Sequence, residues 1–151
     1  MVNVPVCTLS LETPVADFNK MTDYDIMVVD VTAMPDEASQ KIAAIKAHVC
    51  TKDIGIIATI PGSTSRAMIE LTMQRFADLA PMIALTKLDE CETTANEFSA
   101  FIEQGARISI LSGTKSVIGA SIFASENILL QYLKENFSNH EAIMPTGTGL
   151  E

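Results

Sequence analysis

Apolar and polar positions along the chain come in blocks that predict strands and helices in turn. "VPVCTL" at 4–9 is short and β-branched, and "TPVADFNKM" after it has helical spacing. "YDIMVVDV" at 24–31 is an apolar run carrying Asp30 near its end, the pattern of a strand covered on both faces. Pro35 opens the next segment, where proline suits a first helical turn. "DEASQKIAAIKAHV" then sets acids first and Lys46 and His48 last, as the helix dipole favours. Ile42, Ile45 and Val49 give that helix one apolar face.

The cycle repeats. "IGIIATI" (54–60) predicts a strand and "PGST" breaks it. "SRAMIELTMQRFADL" predicts a helix that turns Met68, Leu71 and Phe76 inward. "PMIAL" (81–85) predicts a strand, and "ETTANEFSAFIEQ" a helix burying Phe98, Phe101 and Ile102, with Gly105 suited to its C-terminus. "ARISIL" (106–111) predicts the last strand, "SGTKSVIG" a loop, and "ASENILLQYLKENF" the closing helix. From Ser138 onward the chain is polar with Pro145 and two glycines, which predicts a loose tail over 138–151; its final Leu150–Glu151 matches a common vector junction.

Residues 1–137 are therefore expected to form an α/β domain, a three-layer, mostly parallel sheet of about five strands with helices on both faces. Ligands of such sheets sit beyond the carboxyl ends of the strands. Those ends carry Asp30 to Thr32, Thr59 to Gly62, Thr86 with Lys87 and Asp89, and Ser112 with Gly113. Each one alone is an ordinary polar strand end; together they make a candidate site.

Composition narrows what that site can serve. At 151 residues and 48% hydrophobic, the chain suits one domain with a sizeable core. Lys+Arg number 10 against 19 Asp+Glu, a net charge of -9 that disfavours a nucleic-acid or anionic-membrane surface. Cys7, Cys50 and Cys91 form no CxxC, so reduced thiols and a cytoplasmic setting are expected. No apolar run approaches a membrane span, and the N-terminus has no basic stretch followed by an apolar core. His48 and His140 are isolated, and most of the eight Met are expected to fill the core.

"TKLDE" (86–90) after an apolar strand resembles the guanine-recognition motif of GTPases of the signal-recognition-particle class, and is most similar to the flagellar FlhF branch. "YDIMVVDVTAM" is similar to that class's second acidic motif, and "ISILSGTKSVIGASIFASENIL" to its closing element behind the base. Order and spacing agree from about residue 4 to residue 137. The resemblance implies a P-loop-NTPase-like sheet, GTP or GDP with Mg2+ as ligands, and a role in protein targeting or flagellar placement. The bound guanine nucleotide would be held by Thr86, Lys87, Asp89, Ser112 and Gly113, and Asp30 would support the metal through water. It further implies a homodimer or a family-type heterodimer, peripheral at the membrane through partners.

The chemistry of the motif is direct. Guanine presents two parallel donors on one edge, and a carboxylate such as Asp89 accepts both as a charge-assisted pair. Adenine lacks that pair and would leave the anion unmatched. Lys87 can lay its methylenes over the base, Thr86 can tie the turn, and Ser112 and Gly113 can bring backbone N–H groups to the guanine carbonyl.

The sequence departs from the class twice. Ala33 and Met34 stand where the acidic motif has Gly and Arg, and no G-x-x-x-x-G-K-[ST] occurs. "GTKS" at 113–116 lacks that spacing. Lacking a loop to cradle phosphates, this sequence resembles the C-terminal half to two-thirds of a GTPase domain without its first β–P-loop–α unit. It reads as part of a longer GTPase or as a degenerate relative, with catalysis by this chain alone not expected. Two other readings stay open: a nucleotide-independent interaction domain, and a phospho-receiver using Asp30, Thr59 and Lys87.

Overall fold

The computed structural model of the chain describes Val6, Thr8 and residues 24–48, 54–91, 93–113 and 121–141. The chain divides into two compact units, Met1–Ile54 and Gly55–Glu151.

In the first unit, helix α1 (Pro35–His48) begins at the expected proline. Asp36 and Glu37 occupy its first turn, where unpaired N–H groups favour negative charge. Glu37 pairs with Lys41 one turn on, at 2.6 Å. Ala38 is buried and Ile42 and Ile45 are half-buried, so the expected stripe exists; Val49 lies outside the described residues. The strand expected at 24–31 does not form. That segment has no regular secondary structure, and Ile26 and Val28 are 80% and 89% exposed. Apolar, β-branched sequence supplies the propensity for a strand, but only a hydrogen-bonding neighbour makes one. Apart from Val6 and Thr8, the strand expected at 4–9 and the helix after it lie outside the described residues.

The second unit is a sheet of four strands in the order β1-β2-β3-β4, with β1 (Ile57–Pro61), β2 (Met82–Thr86), β3 (Arg107–Ser112) and β4 (Ser121–Phe123). The first three are parallel, and β4 runs antiparallel to β3. Parallel neighbours need long crossovers. Helix α2 (Arg66–Arg75) with a 3-10 turn (Ala77–Leu79) connects β1 to β2, and α3 (Ala95–Glu103) connects β2 to β3. Helix α4 (Glu126–Glu141) follows β4. The expected α/β class therefore holds for a four-stranded, mostly parallel sheet. Strands expected at 54–60, 81–85 and 106–111 recur as β1, β2 and β3, while β4 falls in the gap between the loop expected at 112–119 and the helix expected at 124–137.

Ile60, Ile83, Leu85 and Leu111 from the sheet meet Ile69 and Met73 of α2, Phe98 and Phe101 of α3, and Tyr132 of α4 in one core. Each such side chain, fully buried, contributes about 1.5–3 kcal/mol. The inward face of α2 differs from the expected one, because Met68 and Leu71 are exposed. On α3, Phe98 and Phe101 are buried as expected, but Ile102 is 75% exposed. Arg66 joins the two helices, pairing with Glu103 of α3 and with Glu70 at 2.8 Å. Those carboxylates raise the Arg66 pKa further above its ordinary value.

Candidate functional site

Because β1, β2 and β3 are parallel, their carboxyl ends share one edge of the sheet. There the chain after β2, from Thr86 to Glu90, lies between the chain after β1 and the chain after β3. Two backbone bonds fix it on both sides. The Gly62 amide donates to the Thr86 carbonyl at 2.8 Å, and the Leu88 amide donates to the Ser112 carbonyl at 3.2 Å. The pairing of β2 with β3 contains a register shift between Ile83 and Ala84, which sets Ser109 aside and aligns Leu85 with Leu111. Such a bulge re-aims the residues beyond it. Here it makes Thr86 and Ser112 the next residues on the two strands.

Lys87 turns the chain. Its φ is +58°, a left-handed conformation uncommon for a residue with a Cβ. Two acceptor bonds hold it there, the Lys87 carbonyl receiving the Glu90 amide at 3.2 Å and the Cys91 thiol at 3.1 Å. The inversion sends Leu88 inward, where it is 3% exposed, and leaves Lys87 and Asp89 outside. Lys87 Nζ lies 3.7 Å from Glu90, a surface pair.

Two glycines bracket the turn. A Cβ at Gly113 (φ +81°) would overlap Asp89 Oδ1 and approach the Leu88 nitrogen to 3.0 Å. The Asp89 carboxylate is therefore seated on the Gly113 backbone. A Cβ at Gly62 would lie 2.8 Å from both Leu88 Cδ2 and Thr93 Oγ1, and 3.0 Å from Cys91 Sγ. Both positions need glycine for close approach.

Of the residues expected at the site, Thr86, Lys87, Asp89, Ser112 and Gly113 come together. Thr86 ties the turn through its backbone carbonyl, where a side-chain bond was expected. Asp30 belongs to the first unit and is exposed on the irregular segment 24–34. Among the described residues no group of three or more His, Cys, Asp or Glu is arranged to hold a metal, so the magnesium role expected for Asp30 rests on the resemblance alone. Thr59 sits at the centre of β1.

Sequence reasoning missed Leu88, Thr93 and Tyr132. Thr93 is 1% exposed; its hydroxyl donates to the Gly62 carbonyl at 3.1 Å and its amide donates to the Tyr132 hydroxyl at 3.3 Å. A polar group so buried is kept by such partners. The Tyr132 ring packs against Phe98, centroids 5.9 Å apart. The next residue, Thr94, caps α3: it accepts from the Asn96 amide at 3.2 Å, and Glu97 accepts from the Thr94 amide at 3.0 Å. That pair was legible as T-x-x-E before an apolar run. Burial raises the Cys91 pKa, and the charges of Glu90 and Asp89 add to the effect.

No protein-family model matches this chain, and no curated protein or solved structure matches it. No described helix is long and apolar enough to cross a membrane.

Proposed function

We propose that this chain carries the guanine-recognition end of a GTP-binding domain of the signal-recognition-particle class, serving protein targeting or flagellar placement. One observation carries the reading: Asp89 is exposed at the sheet edge, with its carboxylate seated on Gly113 and its turn held between β1 and β3. A carboxylate so placed can accept the N1–H and exocyclic amine of guanine together. Lys87, outward on the same turn, can cover the base with its methylenes. GTP or GDP with Mg2+ are the ligands of this reading, and the fold it implies is the P-loop-NTPase-like sheet layered by helices on both faces. GTP hydrolysis needs a phosphate-binding loop in addition to these residues.

A nucleotide-independent interaction domain is the second reading, favoured by the exposed Met68 and Leu71 on α2 and Ile102 on α3. Titration of a fluorescent GDP analogue with GDP and ADP as competitors separates the two. Competition by GDP over ADP, lost in Asp89→Ala, supports base recognition. Equal competition, or no binding, discards it, and a stable complex or dimer without nucleotide then supports the second reading.

A further inference from the structure

We infer that Thr93, buried beneath the turn, is a positioning residue that sets the selectivity of the Asp89 site; the inference rests on the guanine reading. Thr93 is the only polar residue among the described ones that is buried. Its hydroxyl holds the carbonyl of Gly62, and the amide of that same Gly62 holds the carbonyl of Thr86. One residue thus receives the start of α3 on one side and the end of β2 on the other. The Tyr132 hydroxyl, accepting the Thr93 amide, ties this chain of bonds to α4.

The consequence for Asp89 comes through Leu88. Asp89 points out because Leu88 points in, and Leu88 Cδ2 rests in the space that the missing side chain of Gly62 leaves. The floor of that socket is Gly62 together with Thr93 Oγ1. Moving the floor moves Leu88, and the Asp89 carboxylate turns relative to Gly113. A paired acceptor needs both oxygens aligned, and an error of a fraction of an ångström costs the second bond before the first. The loss therefore appears in discrimination between ligands that differ by that one donor.

Inosine diphosphate is that ligand, because hypoxanthine keeps the N1–H of guanine and lacks its exocyclic amine. Binding of GDP and inosine diphosphate is measured on the full chain by competition or chemical-shift titration. The variants are Thr93→Val, which keeps the volume without the hydroxyl, and Thr93→Ser, which restores it. The parent chain is expected to prefer GDP by about tenfold, the worth of one charge-assisted bond. Thr93→Val is expected to cut that preference by about threefold or more, and Thr93→Ser to restore it. A residue that only stabilises the fold would lower the melting temperature and leave the ratio unchanged. If Thr93→Val does not fold, Tyr132→Phe decides, since it removes the acceptor of the Thr93 amide and keeps the ring. An unchanged ratio in the folded variants, with the parent still guanine-selective and Asp89→Ala unselective, overturns the positioning role alone. A parent chain with no preference for GDP over ADP overturns this inference and the guanine reading together.

Discussion

Gly113 and Asp89 touch across the ends of neighbouring strands so closely that a Cβ at position 113 would overlap the Asp89 carboxylate unless it moved. Two separate demands meet there, since Gly113 also has a φ of +81°. Gly105 makes only the second demand: its φ is +64°, and a Cβ there would meet nothing within 4 Å. Gly105→Ala is expected to cost about 1 kcal/mol, the left-handed penalty alone. Gly113→Ala adds overlap with the carboxylate, for a total of about 2–4 kcal/mol. Urea unfolding of the two variants measures the difference. Equal losses would mean that Asp89 simply swings away.

Leu88 and Lys87 are neighbours with opposite fates, and their truncation should separate anchor from instrument. Leu88→Ala empties a buried site and is expected to cost about 2–5 kcal/mol. Lys87→Ala removes an exposed side chain whose ion pair with Glu90 is solvated, and is expected to change stability by less than about 1 kcal/mol. Thermal unfolding checks both. A large loss in Lys87→Ala would show that its side chain supports the turn.

The residues that share the carboxyl edge of the sheet were readable from sequence, while the buried residues packed beneath them were not. Thr86, Lys87, Asp89, Ser112 and Gly113 follow apolar runs directly, so locating parallel strands sufficed to bring them to one edge. Thr93 is a polar residue two positions before a helix, and its sequence suggests a helix start in water. Its burial depends on Gly62 and Tyr132, which lie 31 and 39 positions away. Long-range hydrogen bonds leave no periodic trace in a sequence.

The inward face of α2 differs from the expected one for a related reason. Helix α2 has apolar residues at 68, 69, 71 and 73, so two stripes compete: Met68 with Leu71, or Ile69 with Met73. Packing against β1, β2 and α3 selects the second. Strand β4 has three residues and pairs only with the end of β3, too short for alternation to register. The segment 24–31 shows the reverse case, with strand propensity and no partner strand among the described residues.

Glu97 ties stability to pH through the cap of α3. The Thr94 hydroxyl donates to its carboxylate and lowers its pKa below the ordinary 4.5. The folded state thus favours the ionised form, and its contribution is present above the unfolded pKa and lost as pH falls through the folded one. Thr94→Ala is expected to cost about 1 kcal/mol at neutral pH. The penalty of Glu97→Gln should be full at neutral pH and shrink as pH falls below the ordinary carboxylate range and through the lowered folded pKa, where the parent carboxyl itself takes up a proton. Urea unfolding of both chains across that range measures it. A penalty independent of pH would assign the cap to shape alone.

Cys91 reports the electrostatics of the turn that it helps to hold. Its thiol donates to the Lys87 carbonyl, and burial disfavours the thiolate, with Glu90 and Asp89 adding negative charge nearby. The thiolate is the reactive form, so alkylation should run slower than at an unhindered thiol, its pH–rate curve displaced upward. Peptide mass spectrometry after timed iodoacetamide exposure follows Cys91 apart from Cys7 and Cys50. Asp89→Asn and Glu90→Gln each remove a charge that opposes ionisation, and both should speed the reaction at a fixed pH. Lys87→Gln should slow it, because Lys87 is the one neighbour that lowers the pKa. If all three substitutions leave the rate unchanged, burial alone governs the thiol, and the charges around Asp89 are screened by water.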